Sequence, residues 1–435
     1  MDDTDSREGM CTTHLAGDLI AAINHAGLDV IGYPRLVRLN PTVPWKTRGN
    51  GAIAIQFGRG GGGRHLIGQV EGERYGRERL RAHGDTGGLF PQLVEVVRRR
   101  ARLDTPGTNP GLVMSRVKPP VALYRRAVHH IMDREEVAAV LEDAGAVYRG
   151  FNDGRGIIGA AAALAWRPGD ATYEVITYRN GGRRWVDEES VRHMDRRCPD
   201  TFDNYDYLHR HVKILPASPC PVLYGIRGES PEGVREAMHQ VASSPVRRWL
   251  LFQTNQATDA HLEKTGAGEV RPFSSVAVTG TVSREPRTIR GGHVLFEIRD
   301  ATGGVDCAAY EPTKEFRDVV RRLRRGDVVT VCGGVREEPL TVNLEKMFIR
   351  RLAKIREKRE NPVCPDCGKH MKSAGGGQGY RCARCGRRAG EEAARMVPVE
   401  RGLHCGWYEV PVVARRHLAK PLRRMGVEAP APDTE

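Results

Sequence analysis

Asp2, Asp3 and Asp5 crowd three carboxylates into four residues just ahead of a helical segment, and Thr12 and Thr13 stand where that helix begins. Hard oxygen donors at this density suit a magnesium ion carrying nucleotide phosphates. A phosphate at the helix start meets unpaired backbone N–H groups and the positive end of the helix dipole, so either a bound phosphate or a phosphorylated hydroxyl is stabilised there. Ordinary N-capping by Thr12 or Thr13, with Asp5 in a turn, fits the same spacing. A second constellation is sharper: Cys364-Pro-Asp-Cys367 and Cys382-Ala-Arg-Cys385 form two C-x2-C knuckles separated by 14 residues. Four thiolates in this arrangement suit tetrahedral zinc, and because protein fills every position the predicted role is structural. Lys369, Lys372, Arg381, Arg384, Arg387 and Arg388 surround these cysteines. They fit contact with a phosphate backbone or a merely solvated face.

Phosphate binding has further candidates. No G-x-x-x-x-G-K-[ST] motif occurs, and Gly368-Lys369-His370 belongs to a zinc knuckle, which excludes a P-loop. The run from Gly58 to Arg64 is rich in glycine but lacks a strand-then-helix frame, and it reads as a flexible hairpin connection. Arg35 to Arg38, the proline-stiffened Asn40 to Pro44, and Trp45-Lys46-Thr47-Arg48-Gly49-Asn50-Gly51 read as a loop. That loop is either a phosphate clamp or a surface turn. Pro221 to Ile226 reads as a buried strand, Arg227-Gly228-Glu229 as a turn, Ser230 as an N-cap and Pro231 as the first helical residue. Ligands favour such junctions: Arg227 could grip phosphate and Glu229 a cationic substrate, or the two could form a surface ion pair.

The elements that must position these groups follow from pattern and bulk. At 435 residues and 48.2 kDa the chain exceeds one core and predicts three or four domains. With 40% hydrophobic and 28% charged residues it is globular, and a net charge of +14 with pI near 9.5 points to a polyanionic partner, nucleic acid first. There is no run of about 18 apolar residues, and the start MDDTDSREGM is acidic, so no membrane association and a cytoplasmic location are expected. Leu15, Leu19, Ile23 and Ala26 fall at helical spacing over 13–26 with Gly27 as the stop, followed by a strand at 30–33. A second amphipathic helix is expected around Leu93 to Ala101, then a Pro/Gly-rich stretch at 105–120 and a boundary near 122. Helical segments at 131–143 and 232–242 mixed with β-rich runs at 172–178 and 221–225 predict an α+β domain over 123–268. Strands at 276–283, 292–299 and 304–310, a helix at 313–324 and strands at 327–335 and 341–349 give the order of an OB-fold within 269–352, a barrel that often binds single-stranded nucleic acid. The remainder, 353–435, carries the cysteines and ends in a tail, 428–435, expected to fray.

Taken together, DDTDS and MCTTHLA (2–16), GYPRLVRLNPTVPWKTRGNGA (32–52), CPVLYGIRGES (220–230), GGHVLFEI with AAYEPTKEFR (291–317), the cysteine quartet and ARRHLAKPL (414–422) resemble the archaeal 2-agmatinylcytidine synthetase family along nearly the whole chain. That resemblance implies an α+β multidomain protein: a kinase-like N-terminal domain over 1–122, a ferredoxin-like domain over 123–268, the OB-fold and a zinc ribbon. It implies a ligase that uses ATP to activate the C2 oxygen of the wobble cytidine in an isoleucine tRNA with a CAU anticodon, after which agmatine displaces the leaving group and AUA is decoded. Asp2, Asp3, Asp5 and Thr12 then fall on the catalytic positions, with Thr12 matching a threonine that becomes autophosphorylated. Lys46, Thr47, Arg48, Asn50 and Arg227 are the expected phosphate ligands, and Asp203 and Glu229 the expected carboxylates for agmatine, a dication ending in guanidinium. ATP, magnesium and structural zinc are the expected cofactors, with no obligate protein partner. Family members carry a short apolar strand ahead of the acidic run, whereas here that run follows Met1 directly, so the N-terminal sheet is expected to lack it. A non-catalytic single-strand binding protein built on the OB-fold and ribbon is the rival reading, as is a kinase without the amine step. A pure RNA binder gives no reason to concentrate carboxylates near a polyanion.

Overall fold

In the computed structural model, which describes residues 1–179 and 181–430, the acidic run leads into the helix Thr12–His25. Residues 431–435 of the tail expected to fray lie outside the described residues. Leu15, Leu19, Ile20 and Ile23 of that helix are buried, as their spacing requires. Gly27 closes it with φ +74° and an N–H donated to the Asn24 carbonyl. The helix Leu89–Arg100 packs beside it through Leu89, Leu93 and Val97, and Arg98, Arg99 and Arg100 sit at its negative C-terminal end.

The pair rests on a nine-stranded sheet that runs through both the N-terminal and the α+β regions. Its principal order is Asp29–Ile31, Glu73–Ala82, Phe57–Gln69, Arg248–Thr254, Thr172–Tyr178, Val222–Gly228, Thr201–Phe202. The strand Arg248–Thr254 joins the halves: Trp249 pairs with Gln69, the whole strand pairs with Thr172–Tyr178, and Gln253 pairs with Arg35. Trp249, Leu250, Leu251 and Phe252 are all buried, the signature of a strand covered on both faces. The strand Gly111–Met114 pairs with Val147–Gly150 across the expected boundary near residue 122.

Three local expectations need correction. The glycine run from Gly58 to Arg64 is no flexible connection; it lies within the strand Phe57–Gln69. A Cβ on Gly60, Gly61 or Gly62 would stand 2.4 Å from Arg77 Cγ, 2.2 Å from Arg81 Nε or 2.4 Å from Glu78 Oε2, so the missing side chains admit the long ones of the neighbouring strand. Arg35–Arg38 is a strand, paired with Gly51–Ala54, and only the residues between form the loop. Arg227 and Gly228 end the strand Val222–Gly228, leaving Glu229 and Ser230 as the turn, with Ser230 accepting from the Gly233 N–H as the N-cap.

The OB-fold consists of Ser275–Thr288, Val294–Arg299, Gly304–Ala309, the short helix Phe316–Arg321, Val328–Arg336 and Thr341–Arg351. Pairing of Ser275 to Thr281 with Gly334 to Val328 closes the barrel around Val278, Phe296, Ile298, Val331 and Met347. Beyond it, Lys372–Ser373, Tyr380–Arg381 and Arg388–Ala389 form the small sheet of the ribbon. The chain then returns: Gly406–Glu409 adds to the barrel, and residues 413–424 lie against the α+β region, where Lys213 Nζ donates to the Val413 carbonyl and the Ala257 N–H to that of His417.

Candidate active site

The acidic run is held by its backbone at both ends. Asp2 exchanges backbone hydrogen bonds with Gly111, and Met1 does so with Ile53, so this short stretch lies between the edges Gly51–Ala54 and Gly111–Met114. The helix Gly156–Ala165 backs it, and its sequence, GIIGAAAALA, keeps that face small. A Cβ at Gly159 would stand 1.8 Å from Asp2 Oδ2, and one at Gly156 2.7 Å from the Asp2 carbonyl oxygen, so these glycines set how closely the acidic run approaches the helix.

Asp5 Oδ1 accepts from both the backbone N–H of Thr12, at 2.6 Å, and the Thr12 hydroxyl, at 2.9 Å, and the Thr4 hydroxyl lies 3.1 Å from the same Thr12 oxygen. Thr12 is therefore buried at the helix start with its hydroxyl aimed at a carboxylate. Burial pushes the Asp2 carboxyl up to about 6, and burial with the charge of Asp2 pushes Asp3 up to about 8. Asp3 adopts φ +55° and accepts from the Asn109 N–H at 3.3 Å. Neither carboxylate has a side-chain ion pair among the described residues, and both would return to the ionised form beside a divalent cation. The donor set fits magnesium.

These groups open on a cavity of about 540 Å³. Asp2, Asp3, Asp5 and Thr12 line it together with Lys46, Thr47, Arg48 and Asn50. Leu39, Ile131, Met132 and Ile158 add apolar surface suited to a base. The loop's polar groups divide by what they already hold. Arg48 donates to the carbonyls of Met10 at 2.6 Å and Ser6 at 2.7 Å and lies 3.6 Å from Asp5 Oδ2, so it clasps the turn after the acidic run. Asn50 donates its amide to the Asn40 carbonyl and closes the base of the loop. Lys46 has no hydrogen bond or ion pair among the described residues; partial burial, with Arg416 nearby, lowers its ammonium to about 8. At neutral pH it is a cation without a side-chain partner on the lining of the same cavity as the carboxylates.

Arg227, Asp203 and Glu229 are not among the residues lining this cavity. Asp203, buried, binds the Arg415 guanidinium and lies 3.6 Å from Arg227, while Glu229 holds Arg424 through two contacts of 2.6 and 3.0 Å. The surface pair between Arg227 and Glu229 is absent among the described ion pairs, each having taken a partner elsewhere. Sequence reading missed three features of the site. Arg38, half-buried and read from sequence only as part of a loop, lies 4.0 Å from Glu174 and donates to the Gly49 carbonyl, bracing that loop. Arg155 stacks 4.7 Å above the half-exposed ring of Trp45 at the cavity wall. Gly156 and Gly159 were signalled only by the unusual run of small residues in a helix.

At the ribbon, the sulfurs of Cys364, Cys367, Cys382 and Cys385 all lie within 4.8 Å of one another, with Cys364 and Cys385 3.6 Å apart. A tetrahedral zinc–thiolate site places its sulfurs about 3.8 Å apart, from Zn–S bonds of about 2.3 Å. The quartet is a closed, structural zinc site.

Comparisons with known proteins cover nearly the whole chain. Residues 1–153 match the model of the TiaS TCKD domain, 154–261 the TiaS FLD domain, 276–349 an OB-fold nucleic acid binding domain, and 361–403 the TiaS C-terminal zinc ribbon domain. The chain is 44% identical to a protein of Archaeoglobus fulgidus named as the 2-agmatinylcytidine synthetase TiaS of an isoleucine tRNA, over 98% of this chain and 97% of that protein. It is 38% identical to the protein of the same name from Methanocaldococcus jannaschii, over 97% of each. Among solved structures, it superposes with a TM-score of 0.85 and 42% identity on a TiaS complex with its tRNA and ATP, covering 99% of this chain and 98% of that one. A complex with the tRNA, AMPCPP and agmatine matches with a TM-score of 0.81 and 40% identity, over 99% of this chain and 98% of that one. No helix among the described residues is long and apolar enough to cross a membrane.

Proposed function

This chain belongs to the TiaS family of tRNA 2-agmatinylcytidine synthetases, and from that membership we propose that it joins agmatine to C2 of the wobble cytidine of an isoleucine tRNA with a CAU anticodon, at the expense of ATP. One observation carries the reading: Asp2, Asp3, Asp5 and Thr12 converge with Lys46 on a single cavity in a chain that also has an OB-fold and a zinc ribbon. The rival, a non-catalytic single-strand binder, leaves that convergence of carboxylates unexplained.

The amide-like C2 oxygen is a poor leaving group, so ATP first converts it to a phosphoryl or nucleotidyl ester. The agmatine amine then attacks C2, forming the C–N bond as the C–O bond to the activated oxygen breaks and the amine loses a proton. Asp2, Asp3 and Asp5 hold magnesium in this reading, which when bound neutralises the charge developing on the phosphates. Lys46 and Thr47 face those phosphates directly, while Arg48 and Asn50 contribute by fixing the loop and the acidic turn. Arg227, expected among the phosphate ligands, lies 3.6 Å from the Asp203 carboxylate and outside the residues that line the cavity. Thr12, its hydroxyl 2.9 Å from Asp5, is the residue positioned to accept a phosphoryl group. Asp203 and Glu229 are the carboxylates offered to agmatine; each already binds an arginine guanidinium, the group at the end of agmatine, so the ligand would take the place of Arg415 or Arg424. The wobble base must leave its stack to enter the cavity. A tRNA substrate and the reducing conditions that suit a zinc thiolate site both support a cytoplasmic location.

The test is incubation with magnesium ATP, labelled agmatine and an isoleucine tRNA transcript with the CAU anticodon. Label that enters the transcript and disappears when the wobble cytidine is replaced is the expected result. Tight transcript binding with zinc in place but no label would return the chain to the binding-protein reading.

A further inference from the structure

A second cleft, of about 770 Å³, adjoins the active-site cavity and shares His130 and Ile131 with it. It lies where the end of the helix Val121–His129, the strand Glu263–Lys264 and the segment leading into the OB-fold meet. Its size is within the roughly 300–1,000 Å³ of small-molecule sites. Phe273 lines it, half-buried, with φ +58°. A bulky residue at positive φ is strained and persists only where its surroundings force it. Here they do so from three sides: Asn40 Nδ2 donates to the Phe273 carbonyl at 2.9 Å, the Thr42 hydroxyl donates to it at 2.6 Å, and the Phe273 N–H donates to the Val335 carbonyl at 3.2 Å. Asn40 and Thr42 belong to the same loop as Lys46 and Thr47, so one segment holds the Phe273 backbone and carries Lys46 of the active site. Lys264 and Arg271, both exposed, line the cleft, and neither the ammonium nor the guanidinium has a hydrogen bond or ion pair among the described residues. Two carboxylates share the cleft, Glu263 lying 3.9 Å from His130 and Glu269 accepting from the Gly266 N–H.

An aromatic residue with its backbone held in place, two cations without side-chain partners and continuity with a cavity that must receive an extruded base are what a neighbouring single-stranded nucleotide requires. We propose that this cleft holds a nucleotide flanking the wobble cytidine, with its base stacked on Phe273 and its phosphate against Lys264 and Arg271. The inference rests on the tRNA reaction proposed above and assigns the residues that hold the anticodon open beside the reacting base.

Transcript affinity, read separately from agmatine labelling, tests it. Phe273→Leu keeps apolar bulk but removes the stacking face, and it should weaken transcript binding about tenfold, near the lower end of what a base–aromatic stack contributes. An abasic site at one of the two flanking nucleotides should weaken binding to the unaltered protein by a similar factor and to F273L no further. The double variant K264E/R271E should also bind more weakly and show a shallower salt dependence. The KM for ATP should stay unchanged in all of them, which excludes a collapsed fold. Equal affinity for intact and abasic transcripts, or an additive loss in F273L, overturns the proposal. Binding that shows these differences in a protein that transfers no agmatine would uphold the cleft and overturn the proposed reaction instead.

Discussion

Among single residues, Lys46 and Arg48 separate two jobs that look alike in sequence. Arg48 spends its guanidinium on the carbonyls of Ser6, Gly9 and Met10, while Lys46 keeps its charge free for a ligand. Lys46→Met should therefore raise the KM for ATP about tenfold or more, the loss expected of a hydrogen bond to a charged group, with transcript affinity little changed. The pH dependence has a definite sign. Because burial lowers the Lys46 ammonium to about 8, the cation is present at neutral pH and lost as pH rises through that value. ATP KM should rise above pH 8, and Lys46→Arg should remove that rise, as steady-state kinetics across pH 7–9 would reveal.

The helix Gly156–Ala165 makes its contribution by being narrow. Gly159→Ala would put a methyl group 1.8 Å from Asp2 Oδ2, and the acidic run must move to admit it. Overpacking of this kind costs about 1–3 kcal/mol, and displaced carboxylates should abolish agmatine transfer while transcript binding survives. Transfer assays beside a binding assay would check this, and full activity in Gly159→Ala would refute the role given to the helix. The ribbon behaves as a unit of another kind, since its small strands enclose only a slight core around Met371 and Tyr380. Removal of zinc by a chelator should unfold the ribbon, releasing four reactive thiols and reducing transfer to the transcript, with ATP binding in the N-terminal region retained. Thiol titration and nucleotide binding on the same sample would separate the two effects.

Across the whole molecule, the α+β region, barrel and tail are bound together by buried charge. Lys346 of the barrel binds Asp259 and the Lys420 carbonyl, and His261 lies 3.0 Å from Glu345, both being buried. Burial opposes the charge of Glu345, but His261, Arg416 and Lys346 outweigh it and hold this carboxyl at about 2, below its ordinary 4.5. A depressed carboxyl contributes stability that is present above pH 4.5 and lost as pH falls toward 2. Thermal unfolding should therefore show the barrel's docking weakening across that window, and Glu345→Gln should flatten the dependence while lowering stability at neutral pH, because it removes the negative charge beside Arg416 and Lys346.

The sequence by itself determined whatever chemistry is local along the chain. The acidic run with Thr12, the cysteine quartet and the strand order of the barrel are each written within short stretches, where spacing alone sets which groups can meet. The loop bearing Lys46 was legible for its charges but not for their division of labour. Only the tertiary structure decided the rest, because the partners are far apart in sequence. Asp203 meets Arg415 and Glu229 meets Arg424 across about two hundred residues, so no local pattern could indicate that both carboxylates already hold a guanidinium. The glycine run reads as a flexible connection until Arg77, Glu78 and Arg81 of the neighbouring strand are seen lying over it. Phe273, an unremarkable aromatic in sequence, has its backbone held at φ +58° by Asn40 and Thr42, which reach its carbonyl from more than two hundred residues away.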